Sequence, residues 1–211
     1  MSKTNIGLVD YCRSKIGTPY VYGAKMELLT LEKYNYLKKL YGSMVWDSDI
    51  NKVGKVCCDC SGLISAYTGK IRNSTGYKNA AKAVNPISTI AIAPPGVLVW
   101  FQGHIGIYSG TKNSVPYYIA EDGSAYGCRE VPLSYNKWTH WLECTDIEYI
   151  GEDLDVVDTT KIKIDGKTYT VNRIFKENRN YVELQSFTQA GFKIDYDSTA
   201  KIPVITSPVK S

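Results

Sequence analysis

The chain has 211 residues, 44% of them apolar, with 25 Lys/Arg against 21 Asp/Glu and a formal charge of +4. That balance excludes a disordered chain, and so mild a basic excess falls short of the clustered stripe that a nucleic-acid partner requires. The longest apolar stretch, 89–101, is broken by Pro94 and Pro95 and is too short to span a bilayer, so no membrane insertion is expected.

In chain order, Ile6, Val9, Cys12 and Ile16 form a helical stripe that Gly17-Thr18-Pro19 stops. Residues 28–41 predict a second helix with Leu29, Tyr36 and Leu40 on one face, and 47–55 read as a polar turn. A third helix is predicted from Cys60, directly after Asp59, a residue type that caps helices. After Pro94-Pro95-Gly96 the texture changes. Residues 96–101, 104–108, 117–121 and 128–133 are short β-rich runs separated by glycine-containing turns, and 141–150 offers a further strand. Helices followed by antiparallel strands predict an α+β domain over 1–150.

Residues 151–159 are acidic and read as a linker. The remainder, 160–211, predicts a small α+β module built on β-hairpins. The first hairpin pairs 161–164 with 168–175 about Asp165-Gly166, 181–190 gives a short helix, and 192–196 with 202–205 forms a second hairpin. The charge is divided unevenly. Residues 151–211 carry nine basic and nine acidic residues, so the whole excess lies in 1–150.

Residues 1–15 carry no apolar core of signal-peptide length, so any export is expected to use another route. Six cysteines, Cys12, Cys57, Cys58, Cys60, Cys128 and Cys144, are expected to be reduced thiols, because a chain of this size does not need disulfide staples. Cys57-Cys58-Asp59-Cys60 lacks a second ligand pair at zinc spacing, so neither metal nor cofactor is expected. The two histidines, His104 and His140, limit any histidine-dependent chemistry to two candidates. His140 lies between Trp138 and Trp141 and reads as a packing residue.

The segment Asp59-Cys60-Ser61-Gly62-Leu63 carries the sharpest signal. A cysteine in the first turn of a helix meets free N–H groups and the positive end of the helix dipole, which favour the nucleophilic thiolate. Ser61 and Gly62 keep its flank small for a substrate carbonyl, and the Cys60 N–H suits an oxyanion donor. Gly103-His104-Ile105-Gly106-Ile107-Tyr108 supplies a base at the start of a strand. The next strand ends in Glu121-Asp122. Glu121 is the expected orienter of His104, with Asp122 the next candidate.

These blocks, with Thr18-Pro19-Tyr20-Val21-Tyr22-Gly23, resemble the NlpC family of papain-like cysteine peptidases over about residues 5–150. The resemblance implies helices packed on a small antiparallel sheet, with Cys60 as nucleophile, His104 as base and Glu121 in the third position, where histidine is common in the family. It implies that Tyr20 borders the substrate cleft. The implied activity is hydrolysis of peptidoglycan stem peptides between D-γ-glutamyl and a diamino acid, through a thioester and without a cofactor. An amidase or acyltransferase of the same fold, or an inactive phage structural or wall-binding module, are the alternatives. The segment between Gly23 and Val56 exceeds the usual family gap, so a helical insertion is expected beside the cleft. A bacterial cell-wall setting follows, such as a phage or prophage endolysin or a virion-associated enzyme. The module at 160–211 resembles stalk domains related to the copper amine oxidase N-terminal domain, through Ile164-Asp165-Gly166-Lys167, Tyr181-Val182-Glu183-Leu184 and Asp195-Tyr196-Asp197. That resemblance implies contact with cell wall or phage assembly proteins and no copper chemistry.

Overall fold

The structure, a computed structural model, describes residues 3–150, 158–164, 167–176, 179–199 and 202–208. The chain divides into two compact units, Met1–Gly151 and Glu152–Ser211.

In the first unit, α1 (Asn5–Arg13) is capped by Thr4, whose side chain accepts from the Gly7 N–H, and it buries Leu8, Val9 and Cys12. Ile16 lies beyond the helix end and is exposed, so the stripe is shorter than its sequence suggests. Strand β1 (Lys25–Leu28) comes next, and α2 (Leu31–Tyr41) starts only after Thr30, which caps it through the Lys33 N–H. The predicted helix over 28–41 therefore begins three residues late. Its buried face is Tyr34 and Leu37, while Tyr36 and Leu40 are exposed. Both sets have helical spacing; only the packing partner decides between them.

Strand β2 (Val56–Cys58) pairs antiparallel with β1 and leads into α3 (Cys60–Thr68). Asp59 is the N-cap, accepting from the Gly62 N–H at 2.6 Å, and Gly69 closes the helix in the left-handed conformation. A short α4 (Ser74–Asn79), β3 (Ala83–Pro86) and a 3-10 segment at Ile87–Ile92 follow. Sequence periodicity does not mark these pieces, because each is too short for a repeating stripe.

Strands β4 (Leu98–Phe101), β5 (His104–Lys112), β6 (Val115–Glu121), β7 (Cys128–Pro132) and β8 (His140–Glu143) join β3 in an antiparallel sheet of order β3-β8-β4-β5-β6-β7. Side chains alternate across it. Leu98, Ile105, Ile107, Ile119 and Leu142 face one way, against Leu8, Val9, Cys12, Leu63 and Ile64 from α1 and α3. Val97, Val99, Tyr108, Tyr118 and Ala120 face the other way, against Ile90, Leu133, Trp138 and Trp141. The α+β class, with helices packed on an antiparallel sheet, is as expected. A third cluster of Val21, Ala24, Leu29, Tyr34, Leu37, Val45 and Cys57 gives the 24–55 segment and its flanks their own core.

The second unit holds β9 (Asp158–Ile164), β10 (Lys167–Lys176) and β11 (Arg179–Val182) in a sheet of order β11-β10-β9. Strands β12 (Lys193–Asp197) and β13 (Ile202–Thr206) pair separately. Both predicted hairpins form, although the Asp165-Gly166 turn lies outside the described residues. The expected helix over 181–190 does not form as such. Tyr181 and Val182 complete a strand against β10, and a 3-10 segment spans Leu184–Ala190. Residues 158–159 of the expected linker belong to β9, and 151–157 lie outside the described residues. Among the described residues no helix is long and apolar enough to cross a membrane.

Candidate active site

Cys60 is the first residue of α3 and is 6% exposed. The backbone N–H groups of Ile105 and Ser61 favour the charged form of its sulfur. Ile105 directly follows His104 at the start of β5, so the strand that carries the histidine also acts on the sulfur. Gly62 is needed here for close approach. A Cβ on it would lie 2.6 Å from the Ala24 carbonyl oxygen and 2.8 Å from the Cys58 sulfur. Gly62 thus serves the packing of α3 on the 24–55 segment, whereas Ser61 lines the cleft beside Cys60. Ser61 is buried as well, and its hydroxyl donates to Asp59 at 2.9 Å.

The helix N-terminus does not make Cys60 a resting thiolate. Burial pushes the thiol up to about 12, and the neighbouring Asp59 carboxylate acts in the same direction. The two N–H groups and the Lys25 ammonium oppose this without overcoming it. Removing a sulfur from water outweighs the partial charge of a short helix end. Attack by this cysteine therefore requires a base to take its proton.

His104 follows the two-residue turn Gln102-Gly103, where Gly103 has φ +92°, the left-handed conformation that such hairpins use. Its ring stacks on Trp138 with centroids 5.4 Å apart and 14° between planes, and Phe101 lies 5.3 Å away. Its Nε2 lies 3.1 Å from Asp122 Oδ1. Asp122 Oδ2 also accepts from Tyr118 (2.7 Å) and Arg129 Nε (2.6 Å), and Oδ1 from Asn136 (3.1 Å). Burial alone would raise this carboxyl, but the hydrogen bonds from His104, Tyr118 and Arg129 outweigh it and hold it below the ordinary value.

Glu121, the expected orienter, is not against His104. The β5–β6 register pairs Ile107 with Ile119, which continued to the strand ends puts His104 opposite Asp122 and Ile105 opposite Glu121. Pleating then sends Glu121 to the face shared by Ile105, Ile107 and Ile119. There it is fully buried, neither carboxyl oxygen has a hydrogen-bond partner, and burial pushes its pKa up to about 9. The alternation in Tyr118-Ile119-Ala120-Glu121-Asp122 contains this answer, since it groups Asp122 with Tyr118 and Glu121 with Ile119.

A cleft of about 290 Å³ opens at the N-terminal end of α3, lined by Tyr22, Lys25, Tyr41, Cys60, Arg72 and Gly103 among others. Tyr20 is buried, and Tyr22 is the tyrosine of that motif that lines the cleft. Lys25 and Tyr41 come from the 24–55 segment, and no sequence motif marks either of them. Arg72 reaches the cleft from the loop before α4 and pairs with Asp146. His140 packs edge-on against Trp100 and bonds Thr139. All six cysteines are free thiols, and Cys57 and Cys58 point into different hydrophobic clusters. Among the described residues no three side chains are grouped to hold a metal ion.

No protein-family model matches the chain, and no curated protein matches it. Among solved structures it is similar to the P60 domain of an antigen from M. avium subspecies paratuberculosis. That similarity has 23% identity over 69% of this chain and 96% of the other, with a TM-score of 0.45.

Proposed function

We propose that this chain is a cysteine peptidase that cleaves peptidoglycan stem peptides at the bond between D-γ-glutamyl and the diamino acid. The observation that carries the reading is the Asp122–His104 pair at the start of β5, whose next residue, Ile105, presents a backbone N–H that favours the Cys60 thiolate. The motifs around these residues, and their resemblance to NlpC peptidases, supply the substrate class.

With Nε2 donating to Asp122, the tautomer leaves Nδ1 of His104 as the free base. Nδ1 takes the Cys60 proton as the sulfur attacks the scissile carbonyl. The tetrahedral oxyanion accepts from the Cys60 N–H. Collapse breaks the C–N bond, the amine leaves with the proton held by His104, and a thioester remains. His104 then deprotonates water, which attacks the thioester and releases the acid and the thiol. The negative charge on Asp122 stabilises the imidazolium at both steps. The side chains named here supply every proton transfer in this sequence.

The test is digestion of purified peptidoglycan with wild type and Cys60→Ala, with mass spectrometry of the fragments. New amino and carboxyl termini at the D-γ-glutamyl bond, absent with Cys60→Ala, are expected. Cysteine-dependent cleavage of another amide or an ester supports the amidase or acyltransferase alternative. No new termini from any wall type overturns the reading.

A further inference from the structure

The insertion after Gly23 brings a cation to the start of α3. Lys25 opens β1, and the pairing of β1 with β2 slips between Lys25 and Glu27. Met26, at the slip, has φ +60°, a conformation disfavoured for a residue with a Cβ. This bulge re-aims Lys25. Its Nζ lies 2.8 and 2.7 Å from the two Asp59 carboxylate oxygens and 2.8 Å from Ser61 Oγ. The ammonium thus binds the residues on both sides of Cys60. Asp59 is itself buried, and its oxygens also accept from the Gly23 and Gly62 N–H groups.

A helix cap of this kind creates a difficulty for a cysteine peptidase. Asp59 organises the first turn of α3, but its negative charge lies beside the sulfur that must become negative. The titratable groups coupled to the sulfur come from several elements: Asp59 at the cap, Lys25 on β1, and Tyr20 and Tyr22 before β1. Burial holds both tyrosines neutral, and Asp59 and Lys25 are the opposed charges in this set.

We propose that Lys25 is a positioning residue for Cys60: it neutralises the Asp59 cap, so that the buried sulfur can carry negative charge when His104 takes its proton. The role of His104 in that statement rests on the peptidase reading; the Lys25–Asp59–Cys60 coupling does not. A lysine that only pinned β1 to α3 would affect stability and leave the acidity of the thiol unchanged.

The experiment is alkylation of the full-length protein by iodoacetamide across a pH series. Fragment mass spectrometry separates Cys60 from Cys57 and Cys58. Below the titration midpoint the rate follows the thiolate fraction, so Lys25→Met is expected to react about tenfold slower at a given pH, equivalent to one pKa unit. Lys25→Arg keeps the charge and is expected to stay within about threefold of wild type. In Lys25→Met/Asp59→Asn the cap is retained and the opposing charge is gone, which should return the rate to within about threefold. Asp59→Asn alone leaves the cation unopposed and should react faster than wild type. Folded Lys25→Met with a wild-type rate profile overturns the proposal. If Lys25→Met does not fold by circular dichroism, Asp59→Asn decides, and no rise in its rate overturns the proposal. No wall substrate enters the measurement, so failed peptidoglycan digestion and failed charge coupling remain separate results.

Discussion

Asp122→Asn separates the two carboxyls at the end of β6 by what each touches. The amide can keep its oxygen toward Tyr118 and Arg129, which lie 2.7 and 2.6 Å from Oδ2. Its NH₂ then faces His104 Nε2 and must donate, so the ring proton moves to Nδ1. A histidine protonated at Nδ1 cannot accept a proton from Cys60. Loss of the correct tautomer and of the charge opposite the imidazolium should lower kcat/KM by roughly 10²–10⁴-fold. The stability cost is smaller. The Arg129 guanidinium loses its ionic partner but remains partly exposed, so about 1–3 kcal/mol is expected. The assay is steady-state hydrolysis of a soluble γ-glutamyl–diamino acid peptide, with urea unfolding of the same preparation. A folded Asp122→Asn enzyme within about threefold of wild-type kcat/KM, a difference under 1 kcal/mol, would refute the orienting role.

Glu121→Gln should leave kcat/KM nearly unchanged and alter the pH dependence of stability instead. Because the folded-state value is raised to about 9, the native chain binds a proton that the unfolded chain releases above the ordinary glutamate range. The contribution of Glu121 to stability is therefore fullest below about pH 4 and declines toward about pH 9, by up to ~1.4 kcal/mol per pH unit. Thermal melts should show this decline in wild type and a flatter profile in Glu121→Gln; equal slopes would be the contrary result. Gly62→Ala should destabilise by about 1–3 kcal/mol, since the added methyl meets the Ala24 carbonyl oxygen and the Cys58 sulfur, and urea unfolding reads it. Tyr41→Ala should raise KM for the soluble peptide about fivefold, with kcat little changed, because an aromatic wall contact contributes on the order of 1 kcal/mol. A kcat loss without a KM change would remove Tyr41 from substrate contact.

Several features were legible in the sequence because they are local. The helix at Cys60 follows from Asp59, whose side chain caps the adjacent turn. The strand at His104 follows from a two-residue glycine turn and alternating isoleucines. The α+β order follows from where those patterns change. These effects act within a few residues, so composition and spacing record them.

Other features depend on partners distant in sequence, and only the tertiary structure decided them. Which face of α2 is buried was settled by the third hydrophobic cluster, which joins Tyr34 and Leu37 to Val21 and Cys57. The choice of Asp122 over Glu121 was settled by strand register, since one residue of slip exchanges the two faces of β6. The state of Cys60 was settled by desolvation, which outweighed the helix terminus that its sequence position advertises. Lys25 carries no motif at all. Its place beside Cys60 depends on a bulge at Met26 and on a carboxylate 34 positions away along the chain. The sequence by itself determined the helix, the strand and the residue types of the site. Packing, register and loss of water decided which charges face which atoms, because these terms depend on what surrounds a side chain, which local spacing does not record.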